Sequence, residues 1–224
     1  MQFIRLFIIN ELRKRNMKIK ISLLSLFFLL ACNASINESV YIKDGEVKDG
    51  NIISINGSIT VGRDCKVLGD CKAVNGSIKI GKGSMIESIQ SVNGPVTIES
   101  NSIIRGNISA VNGEIRTEDS VKVKGDVSSI NGNINLTNTK VARNVETENG
   151  DIILTDGTII EKDILIKGKS KWTDDKRIIE VHLKNGSQVL GNIDVKDDRI
   201  SVTIYLSNDS KILGDVINAE IVYE

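Results

Sequence analysis

Few residues of this 224-residue chain have side chains suited to chemistry. His182 is the single histidine, in the stretch IIEVHLKNG. As a general base it would suit acyl transfer on a hexapeptide-repeat coil, but no six-residue period is present. Alternation sets it on the opposite side from Val181 and Leu183, which favours a structural histidine, satisfied or exposed. Two carboxylate pairs, Asp174-Asp175 and Asp197-Asp198, have the oxygen chemistry of a calcium site. With no further ligands at suitable spacing, solvated loop charge is the favoured reading. No cluster of His, Cys and carboxylates has metal-ligand spacing. No Ser/His/Asp set, phosphate loop or nucleotide fingerprint occurs. The expectation is a non-enzyme with no catalytic residue, metal or cofactor.

Such a chain must be read from its scaffold. Aromatic residues make up only 4%, there is one Pro, and Gly numbers 19, while Ile and Val dominate the apolar set. That combination favours many short strands joined by tight turns. The net charge of zero conceals an uneven distribution. Residues 1–31 hold six basic residues (Arg5, Arg13, Lys14, Arg15, Lys18 and Lys20) and one acid, Glu11, leaving 23 basic against 28 acidic residues, a net of −5. A mildly acidic body with interspersed signs and no basic stripe argues against a nucleic-acid partner.

Residues 1–31 read as a signal peptide, with 1–16 as an upstream extension ahead of Met17. Lys18 and Lys20 form a basic region, Ile21 to Leu30 an apolar run, and Ala31 a small residue before Cys32. An apolar run of that length is short of the roughly 20 residues a membrane span requires, and it fits the core of a secretory signal. Leu29-Leu30-Ala31-Cys32 resembles a bacterial lipobox, with Leu30 a less usual residue at its position. The resemblance implies lipidation of Cys32, a tether over 32–37 and a membrane partner reached through the lipid. Asn33 after the cysteine implies delivery to the outer membrane of a bacterial cell envelope. The competing reading is an ordinary signal peptide with Cys32 incidental.

The body of the chain repeats. Asn-Gly occurs at Asn56, Asn75, Asn93, Asn112, Asn131 and Asn149, at intervals of 19, 18, 19, 19 and 18. An aliphatic residue precedes five of the six pairs, Glu148 the last. Apolar residues stand two and four places after the glycine, as in Ile78 and Ile80 or Val96 and Ile98; the fourth copy has Ile115 with Thr117. Period-two alternation marks strands with one face inside. A second signal, Gly-Asp/Asn-apolar, recurs at Gly50, Gly69, Gly106, Gly125, Gly191 and Gly214. Asn-Gly is also the strongest hairpin signal, but a fixed register stacks equivalent residues instead. The expectation is an all-β chain: one parallel β-helix of about eight or nine coils with an 18–19-residue repeat, about 40 Å long at 4.8 Å per coil. Asn and Gly would turn the corners by tolerating positive φ. Asn75, Asn93, Asn112 and Asn131 would stack as an amide ladder. Lys79, Thr97, Arg116 and Asn135 would face solvent.

Regular coils are expected over 38–166, a projecting loop over 167–177 and irregular coils over 178–224, ending on Val216, Ile217, Ile221 and Val222 with no polar cap. The loop holds the only tryptophan, Trp172, the sole candidate ring for ligand contact. Cys65 and Cys71 align with Val121 and Val127 and so point inward. A disulfide between them is open in an oxidising compartment, but six residues carry the chain to another face and Cα atoms must come within about 7 Å. Buried thiols are favoured.

The repeated Gly-Asp-Val and Val-Asn-Gly-x-Ile patterns over residues 38–224 resemble the bactofilins and related polymer-forming β-helix proteins, closest to their exported members. The resemblance implies a right-handed β-helix and end-to-end assembly through terminal coils. The lipoprotein-like signal departs from cytoplasmic bactofilins. The expected function is that of a membrane-anchored structural, scaffolding or interaction protein with possible self-association. The alternatives are a β-helix that binds or processes cell-envelope polysaccharide, and a surface adhesin.

Overall fold

The computed structural model describes residues 34–35, 37–168, 177–197 and 199–224. Cys32, Trp172, Asp174, Asp175 and Asp198 lie outside the described residues.

From Val40 onward the chain is a parallel β-solenoid of nine turns, each turn adding one short strand to each of three parallel sheets. The first sheet runs through Ile52–Ser54, Cys71–Ala73, Ile89–Ser91, Ile108–Ala110, Val127–Ser129, Val145–Thr147, Ile164–Ile166 and Ile193–Val195 to Val216–Ile217. The second runs from Val40–Ile42 through strands such as Ile78–Ile80 and Ile115–Thr117 to Glu220–Tyr223. The third runs from Val47–Lys48 to Lys211–Ile212. Strands alternate buried, part-exposed, buried, as in Ile89–Ser91 and Val96–Ile98. Equivalent inward residues stack in columns: Cys71, Ile89, Ile108, Val127, Val145, Ile164 and Ile193 fill one of them. Aliphatic stacking of this kind makes a continuous core without large rings, which accounts for the low aromatic content.

The one-residue spread in the repeat resides in the corners. Met85 pairs with Lys66 at a spacing of 19, and Ile89 with Cys71 at 18, so a residue is lost between them. Ile134 pairs with Ile115 at 19 and Lys140 with Lys122 at 18, placing the other loss between those strands. A slip inside a strand would turn every core residue outward; a slip in a corner leaves the columns intact.

The Asn-Gly pairs form the corner between the first and second sheets. Their side chains make a ladder longer than expected. Nδ2 of each donates to Oδ1 of the one before: Asn56 to Asn37 at 2.6 Å, Asn75 to Asn56 at 2.7 Å, Asn93 to Asn75 at 2.8 Å, Asn112 to Asn93 at 2.8 Å, Asn131 to Asn112 at 2.7 Å and Asn149 to Asn131 at 2.5 Å. The guanidinium of Arg177 donates to the last oxygen, on Asn149.

The expectation that these glycines supply positive φ is corrected. Positive φ falls instead mainly at the second-to-third-sheet corner, on Asp64, Gly83, Asn101, Ser120, Asn138, Asp156, Gly157, Asn185 and Gly186. The glycine of Asn-Gly is needed for space. A Cβ on Gly113 would lie 2.1 Å from the carbonyl oxygen of Gly94 in the coil below.

The third corner carries its own ladder. Backbone N–H groups of Asp126, Asn144, Asp163, Asn192 and Asp215 donate to the side-chain oxygens of Asn107, Asp126, Asn144, Asp163 and Asn192 respectively, at 2.7–3.2 Å. Asn and Asp alternate strictly along it, so no carboxylate stacks on another one coil away, where like charges would repel.

After Ile166 the coils lengthen. Ile152 pairs with Val181 at a spacing of 29, and Val181 with Ile204 at 23. Strands Arg177–Leu183 and Ile200–Leu206 are seven residues each. The first opens at Arg177, inside the segment expected as loop, where it pairs with Ile200 while its guanidinium closes the asparagine ladder.

Candidate functional site

His182 lies on the outer face of the second sheet, between the buried Val181 and Leu183, as alternation requires. Its Nε2 sits 3.1 Å from Glu180 Oε2, and its ring stacks on Tyr205 with centroids 4.6 Å apart at 9°. Nδ1 is buried without a partner. The stack runs along the helix axis, so each ring spends its face on its neighbour. Among the described residues no group of three or more His, Cys, Asp or Glu can hold a metal ion.

Cys65 and Cys71 are both free and buried. The Cys65 thiol donates to the Lys43 carbonyl at 2.9 Å. Burial pushes the Cys71 thiol up to about 12, with Asp70 adding to the rise. A thiol so far from ionisation is neither nucleophile nor ready redox partner. Cys65 begins an internal column continued by Ser84, Ser102, Val121, Thr139, Thr158, Ser187 and Ser210, all buried and all but Val121 and Cys65 hydroxyl-bearing. Its hydroxyls satisfy corner carbonyls, as in Ser84 to Gly62 at 2.8 Å and Thr158 to Leu136 at 3.0 Å. Sequence reading passed over this column; its signal is a small polar residue recurring at the coil spacing two places before an inward aliphatic one.

Asp197 is held by Arg199, whose Nε and Nη2 reach Oδ1 and Oδ2 at 2.8 and 2.6 Å. That fork holds the Asp197 carboxyl down at about 2. The carboxylate thus belongs to a local ion pair. Of the residues singled out for function, Cys32 and Trp172 fall outside the described residues, and His182, Cys65 and Cys71 are not brought together.

The two ends of the solenoid differ. At the N-terminal end Ile42 and Ile52 are already buried, and Ser54 Oγ donates to the Glu38 carbonyl at 3.0 Å. Lys48 there occupies a core-column position, paired with the inward Val67, yet is exposed. At the C-terminal end the last members of the core columns, Ile212, Val216 and Ile221, are only half-buried. Tyr223, continuing the Leu206 column, is 72% exposed, and Leu213 63%. Among the described residues, the sheets end on three strand edges, at Lys211–Ile212, Val216–Ile217 and Glu220–Tyr223. Open edges over apolar residues are templates for further pairing.

No protein-family model, no curated protein and no solved structure matches this chain.

Proposed function

We propose that this chain is a bacterial cell-envelope lipoprotein, anchored through Cys32, whose β-solenoid is a structural rod that self-associates through its C-terminal end. The reading is of a bactofilin-like, polymer-forming protein in exported form. The observation that carries it is the last coil, whose three strands have no further partner among the described residues and lie above half-buried Ile212, Val216 and Ile221. Lys48 favours the C-terminal end over the N-terminal one, since an inward-set charge on an edge opposes stacking. Among the described residues the corner asparagines and aspartates are engaged in ladders and many outer charges in ion pairs, which suits a scaffold.

Labelling cells with palmitate tests the anchor: the label is incorporated into the parent chain and lost in Cys32→Ala. Size analysis and electron microscopy of the full chain test association. Species larger than monomer are expected, and Ile221→Lys should dissolve them. A parent chain that stays strictly monomeric at high concentration would remove the scaffold reading.

A further inference from the structure

The three outer faces of the solenoid are unlike. The second sheet carries ion pairs outside, among them Lys79 with Glu99 and Arg116 with Glu114. The third carries Arg105 paired with Glu87 and Lys140 paired with Glu161, with Lys122 stacked on Lys140. The first sheet is different. Its central outward column reads Lys72, Gln90, Ser109, Ser128, Glu146, one residue per coil. Two residues further along the strands, alternation turns Val74, Val92, Val111 and Ile130 outward, and these are half-buried. Over the three coils between Lys72 and Glu146 these two columns contain no charge.

We propose that this face pairs with the same face of a second copy, the two rods antiparallel about a two-fold axis that runs along the strand direction over Ser109. The inference rests on the fold alone and is independent of the anchor and of the C-terminal end. A two-fold in that position reverses coil order and keeps each column opposite itself. Ser109 then meets Ser109, Gln90 meets Ser128, and Val92 meets Ile130. Lys72 and Glu146 stand two coils to either side of Ser109, so each faces its opposite charge at both ends of the neutral patch. Lys72 already holds Asp70 at 3.0 Å, and Lys167 already holds Glu146. Pairing joins these into a four-member run of alternating sign, Asp70, Lys72, Glu146 and Lys167, at each end. A parallel arrangement sets Lys72 against its own coil and gives no such match, so the charges select the antiparallel one. Small serines at the centre allow two sheets to approach near the ordinary face-to-face spacing of about 10 Å. The neutral patch is about 15 by 10 Å, below the usual size of a stable interface. The pair is therefore weak, and covalent capture is the fitting measurement.

The full chain bearing Ser109→Cys is treated with a short bismaleimide and compared with the parent and with Thr97→Cys, on the outer face of the second sheet. Cys65 and Cys71 are buried, and the parent chain sets the background from Cys32. Ser109→Cys should give a dominant cross-linked dimer and Thr97→Cys only background. In the Ser109→Cys chain, Lys72→Glu and Glu146→Lys should each deplete the dimer, and the two together should restore it. Cross-linking of Ser109→Cys no greater than that of Thr97→Cys overturns the proposal. Cross-linking that ignores the charge changes overturns the antiparallel arrangement.

Discussion

The dipeptide Asn-Gly occurs at Asn149-Gly150 and again at Asn185-Gly186, and the chain uses it in two opposite ways. The first pair sits in the ladder corner between the first and second sheets. Neither residue has positive φ, and a Cβ on Gly150 would lie 2.1 Å from the Gly132 carbonyl oxygen. The second pair sits in the corner between the second and third sheets. Both residues have positive φ, at 54° and 76°, and a Cβ on Gly186 would meet nothing closer than Asp209 Oδ2 at 3.9 Å. One glycine is required by a neighbouring coil, the other by its own backbone. The same letters therefore encode different constraints, which substitution separates.

The largest effect is expected at the crowded corner. Gly150→Ala forces a methyl group onto a carbonyl that belongs to a hydrogen-bonded coil and cannot swing aside. A loss of about 3 kcal/mol is expected, at the upper end of overpacking costs, read from the urea midpoint of the full chain. Equal losses for Gly150→Ala and Gly186→Ala would erase the distinction. Next comes the ladder itself. Asn112→Ala removes one bond to Asn93 and one from Asn131, both between exposed amides that water can satisfy. About 1–2 kcal/mol is expected from two such bonds. Asn112→Asp keeps the acceptor and loses the donor, setting a carboxylate against Asn93 Oδ1. It should be less stable than Asn112→Ala at neutral pH and recover below the carboxylate range, where the protonated acid donates again. Gly186→Ala ranks lower, at about 1 kcal/mol, the cost of placing an L-residue in the left-handed region.

The solenoid was legible in the sequence because its physics is local and repeated. Alternation fixed which residues face in, and six Asn-Gly pairs in register fixed the coil length. The ladder and the inward cysteines followed from that register, and the outward His182 from its alternation with Val181 and Leu183. What escaped depended on neighbours one coil away. The reason for the ladder glycines is a carbonyl about 19 residues earlier in the chain, which no local rule reveals. Asn185-Gly186 escaped because it lies 36 residues after Asn149-Gly150, in another corner. The start of the strand at Arg177 escaped because the sequence around it is polar, and its pairing partner, Ile200, lies 23 residues later. The unequal closure of the two ends was also hidden: Lys48 has the composition of a solvent-facing residue, and only pairing with Val67 reveals that it stands on a core column.

In the last long coil the first-to-second-sheet corner has no Asn-Gly at all. Its place is taken by the segment beginning Lys196-Asp197, where Arg199 forks onto Asp197. This gives a corner held by amides and a corner held by charge within one molecule, and pH distinguishes them. The Arg199 side chain holds the folded Asp197 carboxyl at about 2, below its ordinary 3.8. The unfolded chain therefore takes up the proton first as pH falls. The stabilisation is present above about pH 4 and lost between there and about pH 2. The Arg199 side chain is 41% exposed, so screening keeps the effect small. Hydrogen exchange should show strand Ile200–Leu206 loosening over that interval while Ile134–Thr137, beside the asparagine ladder, keeps its protection. Asp197→Asn should flatten the response of the first strand and leave the second unchanged. If both strands loosen together in the parent chain, the coils unfold as one unit and the difference between the corners has no local energetic expression.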